Sequence, residues 1–163
     1  WAKVQLFNPD CGLTGRVLYL DLDTLVVSSL DPIVDFPADF ALIPHAGTFN
    51  GKNGLTVVKR FNSSVMVFDA GTQDHIYNNW SKTIARTLWG DQDHIGVQCP
   101  DAATMPLEWF PRVSQMVLDA SSYRGGRQWI WNGPPKEAKV VLCKTPKNEE
   151  LAQVIPAFAE AWG

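Results

Sequence analysis

Two carboxylates one residue apart, Asp21 and Asp23, end an apolar run in RVLYLDLDTLVV. Arg16 to Leu20 is short and bounded by turn residues, which predicts a buried strand. In an extended chain residues i and i+2 share a face. The pair is therefore expected to point together into the crevice beyond the strand's carboxyl end, where open α/β sheets bind ligands. Two like charges that close repel one another unless a cation lies beside them. A hard divalent ion with oxygen ligands suits such a pair, and its open coordination positions accept phosphate oxygens. A metal-bound diphosphate is a good leaving group, because the metal stabilises the charge that develops as the bond breaks. The plain alternative is that Asp21 caps a turn and Asp23 is solvated, since a bare Asp-x-Asp is a common tripeptide.

The elements that must position the pair follow from apolar patterning. Trp1 to Phe7 reads as the end of an apolar helix, broken by Asn8-Pro9-Asp10 and by Gly12 to Gly15. Thr24 to Val27 is a second apolar run, and Leu30 to Ile33 reads as a turn. Phe40 to Ile43 is a strand candidate stopped by Pro44, and Gly47 to Gly54 reads as a mobile loop. FNSSVMVFD, Phe61 to Asp69, is a strand broken by polar residues at its start. Ile76, Trp80, Ile84 and Leu88 lie four apart and predict one amphipathic helix over Gln73 to Trp89. A shorter helix is expected near Asp91. Val113 to Leu118 reads as a weak strand and Lys139 to Cys143 as a late one. Asn148 is placed to cap a helix running to Trp162, kinked at Pro156. Strands alternate with helices without strict βαβ spacing, so the fold class is α/β with a mixed sheet. No repeat or composition shift marks a second domain, and residues 1–163 read as a single domain.

The totals bound the function. A net charge of −3 gives no electrostatic basis for binding nucleic acid. No apolar run approaches the roughly 18 residues of a membrane span. Cys11, Cys99 and Cys143 are odd in number and widely spaced, forming neither a disulfide framework nor a zinc pattern. Reduced thiols point to the cytoplasm. The chain opens on Trp1 rather than Met, which leaves room for an upstream start and for a targeting segment there.

With these readings in place, RVLYLDLDTLVVSSLDPI resembles the strand and DxD segment of family 8 glycosyltransferases. WAKVQLF resembles that family's Trp-x-Lys-x-x-Leu-Phe helix, FNSSVMVFDAG its Phe-Asn-x-x-Val-Met-x-Phe strand, and GDQDHI its Asp-Gln helix start. The four segments keep the family's order and rough spacing from Trp1 to about Ile95. The resemblance implies a GT-A-like mixed sheet flanked by helices. It implies transfer of a sugar from a nucleotide-sugar, most often a UDP-sugar, with retention at the anomeric carbon and with Mn2+ or Mg2+ as cofactor. The resemblance leaves the acceptor open among a sugar, a lipid and a protein. By the same resemblance Asp21 and Asp23 match the metal ligands and Lys3 the lysine that approaches the donor. Asn62, with Ser63 and Ser64, matches the strand lining the sugar pocket. Asp91 and Gln92 match the pair near the donor sugar and acceptor. The residue chemistry agrees for some: an amide such as Asn62 contacts hydroxyls as donor and acceptor. Ordinary roles stay open, as a local hydrogen bond for Asn62, a helix cap for Asp91 and a solvated side chain for Lys3. Trp109, Trp129 and Trp131 are large enough to stack on a sugar ring, or to pack in the core.

Two departures from the family pattern matter. Where the family has a His-Gly pair after the late strand, KVVLCKTPKNEE places Cys143, Lys144 and Thr145. Lys144 cannot bind a metal while charged, but it can pair with a diphosphate. The metal is then held by two protein ligands and water, or weakly, or not at all. The family's long segment before WAKVQLF is also missing from this sequence. The chain is expected to be either a truncated form or a reduced homologue whose open sheet edge is completed by a partner or a second copy. Two other functions fit the residues: a carbohydrate- or nucleotide-binding relative without turnover, and a haloacid-dehalogenase-like phosphohydrolase. The second shares a strand-end Asp-x-Asp, but here Thr24 falls one position early for it.

Overall fold

A computed structural model describes residues 1–50, 56–113, 117–119, 129–131 and 133–143. The expected helix between Asn148 and Trp162 lies outside these residues, as does Lys144. The chain divides into two compact units, Trp1–Leu20 with Asp31–Met105, and Asp21–Leu30 with Pro106–Gly163.

The first unit is a four-stranded mixed sheet. Its strands are β1 (Arg16–Leu20), β3 (Phe40–Asn50), β4 (Thr56–Asp69) and β5 (Ala103–Thr104), in the order β1-β4-β3-β5. β4 pairs antiparallel with both β1 and β3, and β5 runs parallel to β3. Period-2 alternation sends Phe40, Leu42, Met66 and Phe68 to one face. There they meet Phe7, Ile76 and Ile95 in one buried cluster. Phe7, Phe40 and Phe68 form its centre, with ring centroids 5.0 to 6.2 Å apart. Phe7 ends a 3-10 helix over Ala2–Phe7, Ile76 belongs to α2 (Asp74–Asn78) and Ile95 to α4 (Asp91–Gln98). The α/β class with a mixed sheet flanked by helices is thus the observed fold.

Several boundaries differ from the sequence reading, each for a local reason. The helix expected over Gln73 to Trp89 is two, because Ser81 adopts an extended conformation and its hydroxyl accepts from Ile84 N, starting α3 (Lys82–Thr87). Leu30 to Ile33 is no simple turn, since α1 spans Asp31–Val34. Pro44 does not stop β3. The pairing shifts between Pro44 and Gly47, and an irregularity of that kind tolerates a residue without an N–H. Strand structure then continues to Asn50, through the front of the expected loop. The N-terminal segment is 3-10 rather than α-helical, and the left-handed backbone at Gly12 (φ 78°) closes a second 3-10 turn over Pro9–Cys11.

Arg16 ties four elements of this unit together. Its guanidinium donates to the carbonyls of Val34 (2.9 Å), Phe36 (2.6 Å) and Ala38 (2.8 Å) and to Asp69 Oδ1 (3.1 Å). These carbonyls lie at the end of α1 and in the bend leading to β3, so the charge adds to the bend's own backbone hydrogen bonds, such as Ala38 N to Phe36 O (2.8 Å).

In the second unit β2 (Thr24–Val26) pairs antiparallel with β8 (Val140–Leu142). The ladder extends at both ends through Val27 N to Lys139 O (3.0 Å) and Cys143 N to Asp23 O (2.8 Å). On its other edge β8 meets the 109–112 segment, through Lys139 N to Trp109 O and Leu142 N to Pro111 O, both 2.9 Å. Val113, Val140, Val141 and Cys143 are buried there. β6 (Val117–Asp119) and β7 (Trp129–Trp131) form a separate antiparallel pair. Among the described residues no helix is long and apolar enough to cross a membrane.

The three cysteines are free thiols, Cys11 exposed and the other two buried. Burial pushes Cys99 up from 9.0 to about 11, and burial together with the Asp23 charge pushes Cys143 up to about 12.

Two outcomes follow. Arg16→Met removes four charge-assisted hydrogen bonds and takes this donor from the Val34 and Ala38 carbonyls, so urea unfolding should show a loss of roughly 3 kcal/mol; a loss below about 1 kcal/mol would mean water replaces the guanidinium. For the thiols, the folded state favours the protonated form, so this contribution is intact below pH 9.0 and is lost as pH rises toward 11 to 12. A disulfide reagent at pH 8 should titrate Cys11 quickly and the other two only on unfolding, and thermal stability should fall in alkaline buffer. Three equally fast thiols would contradict the burial.

Candidate functional site

The first unit brings Lys3, Ser63, Gln92 and Asp91 into one hydrogen-bonded line. The cause is an interruption of β4. Leu42 pairs with Met66, but its neighbour Ile43 pairs with Asn62, so Ser63, Ser64 and Val65 are extra on the β4 side. β1 ends opposite this point, with Leu20 against Val65. Bulges of this kind re-aim side chains at the end of a ladder. Asn62 holds the detour, its Oδ1 accepting from Ser64 N at 2.7 Å. Asn62 thus makes the local hydrogen bond that its residue type allowed, and its amide NH2 is the group left for a ligand.

The freed backbone at Ser63 is taken up on both sides. Lys3 Nζ donates to Ser63 O (3.1 Å) and to Ser63 Oγ (3.0 Å), while Ser63 N donates to Gln92 Oε1 (3.4 Å). Ser63 is fully buried, so in this structure its hydroxyl anchors the ammonium. Lys3 is no solvated side chain: its ammonium also lies over the Tyr19 ring, 5.5 Å from the centroid. Next to Gln92, Asp91 Oδ1 accepts from Gln92 N (2.8 Å), and Asp91 Oδ2 lies 3.4 Å from the main-chain nitrogen of Trp1. The line therefore runs from a fixed cation, through a serine and an amide, to a carboxylate. Such a set of donors and acceptors suits a polyhydroxylated ligand bearing negative charge.

Residues the sequence reading passed over support this line. Asp93, 5% exposed, accepts from Trp89 N through Oδ2 (3.2 Å), which holds the chain just before Asp91. His94 is fully buried, its Nε2 is 2.7 Å from Ile76 O, and its ring meets the Trp1 indole edge-on at 6.2 Å. Tyr19 was legible as the partner of Val17 on the core face of β1, two residues apart. Asp93 and His94 carried no such signal, because a short polar helix start has no apolar periodicity.

Asp21 and Asp23 belong to the second unit. The extended geometry expected for them does not hold: Leu22 and Asp23 form a turn, Thr24 Oγ1 donates to Asp21 O (2.6 Å), and β2 starts at Thr24. The turn forms because the Thr24 hydroxyl and the β2–β8 ladder capture the carbonyls of Asp21 and Asp23. Leu22 is 96% exposed, while the flanking aspartates are half-buried. Asp21 and Asp23 each carry carboxylate oxygens, and that oxygen chemistry fits a hard divalent ion. Cys143 offers a neutral thiol beside Asp23 and does not fit such an ion. Among the described residues no group of three His, Cys, Asp or Glu side chains is set to hold a metal, so the remaining positions would fall to water and ligand oxygens. Trp109 is half-buried and tilted against Phe110. The Trp129 and Trp131 side chains, like Lys144, lie outside the described set.

Comparison with known proteins agrees at the level of fold. No family model matches the chain, and no curated protein matches it by sequence. Solved structures do match. A galactosyltransferase, LgtC, determined with donor and acceptor sugar analogues, aligns over 98% of this chain and 64% of its own, with TM-score 0.57 and 16% identity. The glycosyltransferase GlyE of Streptococcus pneumoniae aligns over 68% of this chain and 29% of its own, with TM-score 0.50 and 18% identity. The chain therefore spans less than two thirds of the length of either protein. Its own fold is the GT-A-like fold of glycosyltransferases.

Proposed function

We propose that this chain is the metal- and donor-binding part of a retaining nucleotide-sugar glycosyltransferase of the family 8 type, using a UDP-sugar and Mn2+ or Mg2+. The observation that carries the reading is the Lys3–Ser63–Gln92–Asp91 line at the β4 detour, in a chain with the glycosyltransferase fold that also carries the half-buried carboxylates of Asp21 and Asp23. The glycosyltransferase fold supports this reading over the phosphohydrolase alternative, because both sets of residues have a use on it.

In this reading Asp21 and Asp23 hold the divalent ion, whose charge offsets that of the departing diphosphate. Lys3, fixed by Ser63 and Tyr19, sets a positive charge near the donor without losing side-chain freedom at the moment of binding. Gln92 has its Oε1 engaged by Ser63 N, so its NH2 is directed to a sugar oxygen. Asp91 stabilises the positive charge that grows on the sugar ring as the glycosidic bond lengthens. No protein base is required on the far face, because attack comes from the side on which the diphosphate leaves. Lys144 contributes a further cation to the diphosphate.

The intact full-length protein should bind UDP and at least one UDP-sugar in calorimetric titration with Mn2+ present, and binding without Mn2+ should be much weaker. No binding under either condition overturns the proposal. Asp21→Ala should reduce metal-dependent turnover by at least about 100-fold; unchanged ligand binding in that variant would instead favour a carbohydrate- or nucleotide-binding protein without turnover. Lys3→Met keeps the aliphatic stem and removes the charge. It should raise the donor Kd about tenfold, close to 1.4 kcal/mol, with the fold intact by circular dichroism.

A further inference from the structure

Trp89 is 63% exposed, although tryptophan is a mostly buried residue type and Asp93, His94 and Ile95, close by in the chain, are buried. The other tryptophans of the first unit are packed, with the Trp1 ring 6.3 Å from that of Trp80 and 6.2 Å from that of His94. Trp89 is nevertheless held in place. Its main-chain N–H donates to Asp93 Oδ2 at 3.2 Å, and Asp93 is 5% exposed, so the backbone under the indole is tied to a buried carboxylate. An indole fixed in this way presents a flat apolar face to solvent. Two residues further on is Asp91, the end of the Lys3–Ser63–Gln92–Asp91 line. Gly90 between them is fully extended (φ −171°, ψ −177°), which sets the Trp89 and Asp91 Cα atoms roughly 7 Å apart.

Gly90 supplies an independent observation. Its extended backbone is open to any residue, so conformation does not require glycine there. A Cβ at this position would meet no heavy atom within 4 Å, so packing does not require glycine either. The position is the N-cap of α4, where Ser, Asp or Asn would add a side-chain hydrogen bond that glycine cannot make. What glycine leaves is bare backbone, which a ligand can approach closely.

We infer that Trp89 and Gly90 form a carbohydrate subsite, in which the apolar face of a pyranose ring stacks on the indole and hydroxyls at its rim donate to the Asp91 carboxylate. The ligand class follows from the combination. A wholly apolar ligand would strip water from the Asp91 carboxylate, which is 21% exposed, and give nothing back. A sugar covers the indole and offers O–H donors to the carboxylate at its side. The use of the subsite rests on the sugar-transfer reading: the line from Lys3 to Gln92 serves the donor, and Trp89 receives the acceptor. The acceptor is then a saccharide, rather than a lipid or a protein side chain.

The test is an NMR titration of the full chain with isotope-labelled tryptophan indoles, with and without UDP and Mn2+. The probes are the methyl pyranosides of glucose, galactose, mannose and N-acetylglucosamine. The Trp89 indole signal, identified by its loss in Trp89→Phe, should shift saturably with at least one of them, while the Trp80 signal stays in place. Trp89→Ala, at an exposed position that spares the fold, should weaken that affinity at least about tenfold. Gly90→Ala adds one methyl group in open space, so the fold should be intact by circular dichroism while the affinity falls at least about fivefold. No indole shift with any pyranoside in either state, or full affinity in Trp89→Ala or Gly90→Ala, overturns the inference. UDP binding is read separately by calorimetry. Its absence beside a shifting indole would sink the sugar-transfer reading and leave the saccharide subsite standing.

Discussion

Between Met66 and Asn62 the longest strand of the sheet takes three residues that its partner does not match. A ladder that loses its register leaves backbone groups without strand partners, and buried groups of that kind must be satisfied elsewhere. Here one group is met locally, Asn62 taking Ser64 N, and two by side chains distant in sequence, Lys3 taking Ser63 O and Gln92 taking Ser63 N. The same hydrogen bonds that repair the strand place an ammonium, an amide and, through Asp91, a carboxylate side by side. Structural repair and ligand chemistry are one arrangement in this unit. That explains why a fully buried serine sits at its centre.

The Asp21–Asp23 segment follows a different logic. Its backbone is committed to the protein, through Thr24 Oγ1 on one carbonyl and Cys143 N on the other. A turn fixed at its carbonyls lets Leu22 project into solvent between two half-buried aspartates. The late strand β8 is therefore a support for the carboxylates, although it contributes none of the chemistry. Cys143 is a packed neutral thiol in this support.

How much of this was legible in the chain depends on the range of the interaction concerned. The residue string by itself determined the α/β class and β1. It also determined the apolar residues of β4 and the late strand, because strand alternation and buried runs are properties of neighbours along the chain. It marked Asn62 as a polar break in an apolar strand and placed a carboxylate pair where a strand ends, while Lys3, Asp91 and Gln92 stood out only through the family resemblance. It did not determine that Gln73 to Trp89 breaks at Ser81, since one cap outweighed a clean apolar stripe, nor that Asp21 to Asp23 turns rather than extends. Only the tertiary structure decided that Lys3 and Gln92 meet at Ser63, 60 and 29 residues away. Only it decided that the Trp89 indole stays exposed. The strand detour and the exposed indole arise from register and packing between distant segments, and no local pattern of residue types encodes them.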